Sequence, residues 1–203
     1  MNPSLTPSPL ALELLAADIR RQGVALEAEA WEALVKRCSG FQCARGEVVF
    51  AISEVPKHLL FVASGIAAAE WAMPDGRTII HRFFERAQWC TTITSAIGGV
   101  ETSDTIVAVA EMQGLLIPLE HWREAYLLDD QVGLYFRHRM LAHLLYAKEL
   151  IRVKTLNSTE ASHRFLQEHH PQVLAEVRQK DIARFMGITP EALSRFLGRR
   201  RSG

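Results

Sequence analysis

The sequence predicts an α+β chain: an antiparallel sandwich or jelly roll flanked by helices, then one long helix, then a small helical tail. Three observations predict it. Between residues 41 and 117, short runs rich in Val, Ile, Phe and Thr alternate with Gly, Pro and Asp, the spacing of antiparallel strands rather than of a parallel sheet. Residues 131–156 keep apolar side chains at steps of three and four, the repeat of a helix with one buried face. Residues 179–201 read as two short helices around a glycine.

The elements follow in order. Residues 1–9, MNPSLTPSP, are expected to be an unstructured lead, because prolines and serines leave little to bury. They carry no positively charged stretch before an apolar run, so no secretory signal is expected. Helices are expected over 10–21 and 26–38, the second with Trp31, Leu34 and Val35 on one side and Gly40 as its stop. Strands are expected over 47–51, 58–64, 65–73, 78–84, 105–111 and 113–118, with MPDG at 73–76 turning a hairpin. A short helix, 119–127, follows Pro118.

The long helix carries Val132, Phe136, Met140, Leu144, Ala147 and Ile151 along a stripe that Leu134, Leu141 and Leu145 widen. A surface this wide must be covered, either by the β domain or by a second copy of the chain. A two-helix seam meets that need, and Phe136, Met140, Leu144, Ala147 and Ile151 are its expected contacts. His138, His143 and Lys148 lie close to the stripe and suit the other arrangement, a helix packed only on its own sheet.

With 203 residues and 48% hydrophobic content, the chain can bury a substantial core. Its longest apolar stretches, such as 59–69, are interrupted by Ser64 and Gly65 and are too short to span a bilayer, so a soluble cytoplasmic protein without a membrane partner is expected. Cys38, Cys43 and Cys90 are odd in number and lack CxxC spacing, which points to reduced thiols rather than disulfides or a metal site. A redox pair between Cys38 and Cys43, or with Cys90, stays open. No phosphate-binding loop, nucleophile elbow, HExxH or carboxylate cluster is present, so no catalytic residue and no enzyme activity is expected.

The tail, QKDIARFMGITPEALSRFLGRRR, is the most informative segment. Gly187 can end the first helix in a left-handed conformation, Thr189 caps the second, and Pro190 sits at its first turn without loss of a hydrogen bond. Leu193, Phe196 and Leu197 share the inward face. Glu191, Ser194 and Arg195 share the outward one. A guanidinium can pair with guanine O6 and N7, a carboxylate accepts from the cytosine amine, and a hydroxyl serves base or phosphate. Seven cations (Arg178, Lys180, Arg184, Arg195, Arg199, Arg200, Arg201) stand against Asp181 and Glu191, a local +5 in a chain of net charge zero. An acidic body therefore carries a basic tail, the asymmetry of a protein that meets phosphates at one end.

Taken together, LLFVASGIAAAEWAMPDGRTIIHRFF at 59–84 and the tail with its Glu-x-x-Ser-Arg arrangement at Glu191, Ser194 and Arg195 resemble the Crp/Fnr family of bacterial transcription regulators. The resemblance runs from about residue 10 to the end. It implies a cyclic-nucleotide-binding-like β-roll over 10–127, a dimerisation helix over 128–156 and a helix-turn-helix DNA-binding domain over 157–203. It also implies a homodimer whose recognition helices lie about one DNA turn apart on a palindromic double-stranded operator, with RNA polymerase as a further partner. Glu191, Ser194 and Arg195 would touch bases; Gln179, Lys180, Thr189, Arg199, Arg200 and Arg201 would touch phosphate.

The departures are as informative. Where cyclic-nucleotide-binding relatives carry Gly-Glu-Leu and then Arg-Ser-Ala or Arg-Thr-Ala, this chain reads WCTTITSAIGGVETSDTIVA. Thr92 takes the glutamate position, Thr102 the arginine position, and no Lys or Arg occurs between Arg86 and Arg123. A buried phosphate without a cation is costly, so cyclic AMP is not the expected effector. A different small effector stays open, in a pocket of Thr91, Thr92, Gly98, Gly99, Thr102 and Ser103 with the two glycines as an anion nest. Three cysteines do not supply the four that an iron-sulfur cluster requires. His81, His121 and Cys90 are haem-ligand candidates by residue type only, and no cofactor is expected. Six residues after Leu197 are too few for the family's β-hairpin wing, so it is expected to be truncated or absent, with Arg199 to Arg201 partly replacing its phosphate contacts or forming a solvated helix end. The alternative function is a ligand- or protein-binding β-roll whose DNA-binding end is weak.

Overall fold

The computed structural model of the protein describes residues 2–128 and 130–201, the side chains of 2–4, 200 and 201 excepted. The chain runs β1 (Asn2–Leu5), α1 (Pro9–Arg21), α2 (Ala28–Lys36), β2 (Ser39–Cys43), β3 (Val48–Phe50), β4 (His58–Ser64), β5 (Ala67–Ala72), β6 (Thr78–Phe84), β7 (Trp89–Cys90), α3 (Ile93–Gly98), β8 (Thr105–Ala108), β9 (Met112–Pro118), α4 (Leu119–Leu127), α5 (Gln131–Thr155), α6 (Thr159–His169), α7 (Pro171–Glu176), α8 (Gln179–Met186) and α9 (Pro190–Arg201). The strands form two sheets, β1-β2-β9-β4-β7 and β3-β8-β5-β6. Every pairing is antiparallel.

Three packed layers explain the apolar runs. Between the sheets, Phe41, Leu60, Val62, Met112 and Leu116 meet Phe50, Ala69, Phe84 and Ile106. On the far side of the first sheet, Phe61 and Leu115 pack under helical Leu15, Trp122 and Phe136. On the far side of the second, Ile66, Ala68, Ile80 and Phe83 receive Phe165 and Phe185 from the terminal helices. β4 is thus buried on both faces, which is why it reads as a continuous apolar run and not as an alternation.

Two turns set the roll. At Gly65 the backbone has φ 85°, and a Cβ there would fall 1.9 Å from the Glu111 carbonyl oxygen, so only glycine lets β4 pass this close. The MPDG turn closes β5 on β6, with Met73 N donating to the Arg77 carbonyl at 2.7 Å and Asp75 accepting from Arg77.

Three expectations are corrected. Asn2–Leu5, expected as part of an unstructured lead, pairs as β1 with β2, and α1 begins at Pro9 with the Ser8 hydroxyl capping Ala11 N. Gly40, expected to stop a helix, lies inside β2; a Cβ on it would meet the Thr6 carbonyl at 2.7 Å, so the close passage of the N-terminal segment requires glycine. The stripe on α5 is divided. Phe136 is buried in the chain's own core with Met140 packed against that cluster, because at about 100° per residue they turn toward the first sheet and α4. Phe136 is therefore not free to form a seam, while Met140 is only partly buried. Ala147 is half-buried. Leu144 and Ile151 remain exposed, together with Leu134, Leu141 and Leu145.

Candidate nucleic-acid interface

The terminal helices form a head that begins after Asn157, whose left-handed φ of 46° redirects the chain out of α5. The Ser158 hydroxyl caps α6 by accepting from Ala161 N. α8 ends at Gly187, φ 71°. The Thr189 hydroxyl then accepts from Ala192 N at 3.2 Å and its carbonyl from Leu193 N at 3.0 Å, so α9 starts at Pro190 with its first donors satisfied. Leu193 is fully buried against the head core, with Phe196 and Leu197 beside it and the Phe196 ring 5.3 Å from His163.

With that face inward, Glu191, Ser194 and Arg195 are all exposed on the other. The Glu191 carboxyl is held below its usual range by the hydrogen bond from its own backbone N–H, then by the Thr189 hydroxyl and the Arg195 charge. It is therefore an anion at a helix N-terminus, where the helix dipole favours one. Gln179 and Lys180 are exposed at the start of α8, and Arg199 is exposed on α9. α9 continues as helix to Arg201; the side chains of Arg200 and Arg201 lie outside those described.

One member of the basic set is turned inward. The Arg184 guanidinium donates to the Thr78 carbonyl at 3.1 Å and pairs with Glu70 and Asp181, both at 3.1 Å. It fastens α8 to the β5–β6 hairpin and is not available to phosphate. Lys154 reinforces the head from α5. Its ammonium lies 3.8 Å from the Phe185 ring centroid and donates to the Phe185 carbonyl near the end of α8, and burial pushes its pKa down to about 8.

A third contact was not foreseen. His170, fully buried, places Nδ1 3.2 Å from Glu85 Oε1 just past β6, and Nε2 2.8 Å from the Tyr146 hydroxyl on α5. The only sequence signal was the His169–His170 pair before Pro171, and eight histidines had no pattern to single it out.

The expected effector residues are distributed over α3 and the segments on either side of it. Gly98 and Gly99 lie at the C-terminal end of α3, whose carbonyls accept from Arg123 at 2.7 Å (Ala96) and 3.2 Å (Ser95). The Gly99 N–H is itself spent on the Ser95 carbonyl at 2.9 Å, which removes one of the amide donors an anion nest would use. Thr92 is buried at the start of α3, while Thr102 and Ser103 are engaged with Asp104. Only Thr91 lines the cavity of about 280 Å³ that opens between β6, the segment after it, and α5.

The candidate haem ligands are dispersed among other contacts: His81 stacks on Trp71 at 4.2 Å, His121 stands 3.5 Å from Glu124, and Cys90 is buried between the sheets. None of them lines that cavity. All three cysteines are free thiols, and burial raises Cys38 to about 12 and Cys43 to about 11, which leaves both protonated. Glu149, Glu168 and His169 meet on the outside of α5 and α6, where His169 pairs with Glu149 at 3.2 Å. Among the described residues, no helix is long and apolar enough to cross a membrane.

No protein-family model matches the chain, and no curated protein matches it. Solved structures do share its fold. FixK2 from Bradyrhizobium japonicum is similar with a TM-score of 0.60 at 18% identity, over 81% of this chain and 85% of that one. A protein assigned to the crp/fnr-family transcriptional regulators, from Eubacterium rectale, gives 0.64 at 17% identity, over 87% and 84%. The catabolite activator protein of Thermus thermophilus gives 0.53 at 17% identity, over 88% and 85%. The fold is thus the α+β architecture of Crp/Fnr regulators, with a cyclic-nucleotide-binding-type roll followed by a helical head.

Proposed function

We propose that this chain is a sequence-specific DNA-binding transcription regulator that works as a homodimer and is not controlled by cyclic AMP. The observation that carries this reading is α9 itself. Its apolar side is buried in the head, and Glu191, Ser194 and Arg195 stand exposed together on the side left free. Side chains of these types, projecting from one helix at adjacent turns, match the donor and acceptor code of the major groove. Lys180 and Arg199 flank them and supply phosphate contacts.

The shared fold supports a regulator rather than an enzyme. The exposed leucines of α5 support a second copy of the chain along that helix, which would place two recognition helices for a palindromic site. Independence from cyclic AMP is supported by Thr92 and Thr102 at the clamp positions and by Arg123, which is spent on the carbonyls of α3. RNA polymerase as a partner and a cytoplasmic location follow from the same reading.

The test is fluorescence anisotropy on genomic fragments from near the protein's own gene, at physiological salt, comparing wild type with Arg195→Ala. The wild type selects one fragment and the variant loses that preference. Equal affinity of both proteins for every fragment would remove direct base readout.

A further inference from the structure

Away from α9, two helices bring three metal-ligating side chains to one point. Glu149 comes from the C-terminal part of α5, and Glu168 and His169 are the last two residues of α6. One oxygen from each carboxylate and one nitrogen of the imidazole all lie within 4.8 Å of one another. His169 Nε2 is 3.2 Å from Glu149 Oε2. Two donors held at 2.0–2.1 Å by a tetrahedral ion stand roughly 3.3 Å apart, so this pair already has the spacing of two ligands on one metal. Glu168 is exposed, and rotation of its side chain brings the third donor in.

The histidine is set in place by packing rather than by charge. Its ring centroid lies 4.5 Å from that of Phe165 and meets Tyr146 edge-on at 6.0 Å, so the imidazole is held between an aromatic residue of its own helix and one of α5. A donor fixed in this way loses little freedom when it binds an ion. The two glutamates lack a comparable counter-charge. Arg152 stands 3.7 Å from Glu149 with a side chain 67% exposed, a weak pair in water, and Glu168 has no hydrogen bond or ion pair among the described residues. A surface pair of His169 with Glu149 alone would leave Glu168 idle. Both glutamates also line a pocket of about 100 Å³ between α5 and α6. At about 30 Å³ per water, that is room for roughly three waters, enough to complete the coordination of an ion with three protein donors.

We propose that Glu149, Glu168 and His169 form a binding site for a first-row divalent metal ion of the Zn²⁺ class. One imidazole nitrogen with two carboxylates suits Zn²⁺ and its neighbours, whereas Mg²⁺ and Ca²⁺ take sets made of oxygen alone. The ion ties α5 to α6 across the corner at Asn157, and because the three donors converge only in the folded chain, its binding stabilises that fold. The site does not rest on the DNA-binding reading.

The experiment is titration calorimetry of the purified full chain, stripped with EDTA and exchanged into metal-free buffer, with Zn²⁺ and separately with Mg²⁺. Zn²⁺ binds once per chain at this site, and Mg²⁺ in tenfold excess does not displace it. Glu168→Gln and His169→Gln each weaken Zn²⁺ binding by about tenfold or more, since even the loss of an outer partner costs a metal site that much. Glu168 is exposed and unpaired among the described residues, so its variant keeps the fold, and a loss of binding there is not a loss of structure. Glu160→Gln, at the other end of α6, binds as the wild type does. Zn²⁺ raises the melting temperature of the wild type and leaves that of Glu168→Gln unchanged. With Co²⁺ in place of Zn²⁺, the visible absorption bands of the wild type change in His169→Gln, which reports the nitrogen ligand. Zn²⁺ binding of equal strength in the wild type and both variants, or no stronger than that of Mg²⁺, would overturn the site while leaving the Arg195 test of DNA reading untouched.

Discussion

The imidazole of His170, inaccessible to solvent, stands 3.2 Å from the carboxylate of Glu85. One residue belongs to the head and the other follows directly on β6 of the roll. The other ring nitrogen meets the Tyr146 hydroxyl of the long helix, so a single side chain gathers the three parts of the molecule. Groups buried this deeply are stabilising only as a set, because each satisfies a polar atom that water cannot reach.

His170→Ala removes that partner and strands Glu85. A loss of about 1–3 kcal/mol in stability is expected, the cost of leaving a buried polar group unsatisfied. Urea unfolding measures it. A double-mutant cycle with Glu85→Ala gives a coupling energy of similar size if the two residues act as a pair, and additive losses if they do not.

Leu144 and Leu145 are 63% and 59% exposed in the single chain, although they are large and apolar. Leu144→Glu with Leu145→Glu leaves the fold intact, since neither supports the protomer core, and converts a dimer to a monomer by sedimentation velocity. Affinity for a palindromic site falls with it. A double variant that still sediments as a dimer places the seam elsewhere.

Arg195→Ala costs about 1–3 kcal/mol at the cognate site and relaxes base preference there. Lys180→Ala weakens all fragments alike and reduces the salt slope of binding by about 1, as expected for one phosphate contact. Because Arg184 is occupied by Thr78, Glu70 and Asp181, its removal lowers stability without changing that slope.

His143 titrates near 3 when folded and near its ordinary 6.5 when unfolded. Between those values the unfolded chain carries a proton that the folded chain does not, so acidification favours unfolding. The stability is fully present above about 6.5 and is lost as pH falls toward 3, with a slope of at most about 1.4 kcal/mol per pH unit. His143→Gln flattens the profile of unfolding midpoint against pH in that window.

Local signals made the two terminal helices legible. A glycine at 187, a threonine and proline at 189 and 190, and leucine and phenylalanine spaced to one face each act within a turn of their neighbours, and their effect is written in consecutive residues. The strand boundaries at His58 and Thr78 were legible for the same reason. Long-range packing was not. Pro3 and Pro7 resemble disorder until Gly40 shows that β1 has a neighbour to lie against. On α5, steps of three and four mark apolar residues, but they do not say which edge turns toward the sheet, and so Phe136, which is buried in the chain's own core, is read as a seam residue. The cavity was hidden for a further reason. Arg82 and Arg139 are far apart in sequence and come to line one space only where β6 passes α5.

The arginine at 184 also bears on how such molecules can be recombined. Its three acceptors come from two different parts of the chain, so α8 is aligned by a carbonyl and a carboxylate belonging to the hairpin of the roll. A head grafted onto a foreign roll would arrive without an equivalent of Glu70, and its helices would settle at a new angle. A working chimaera needs the hairpin transplanted together with the head.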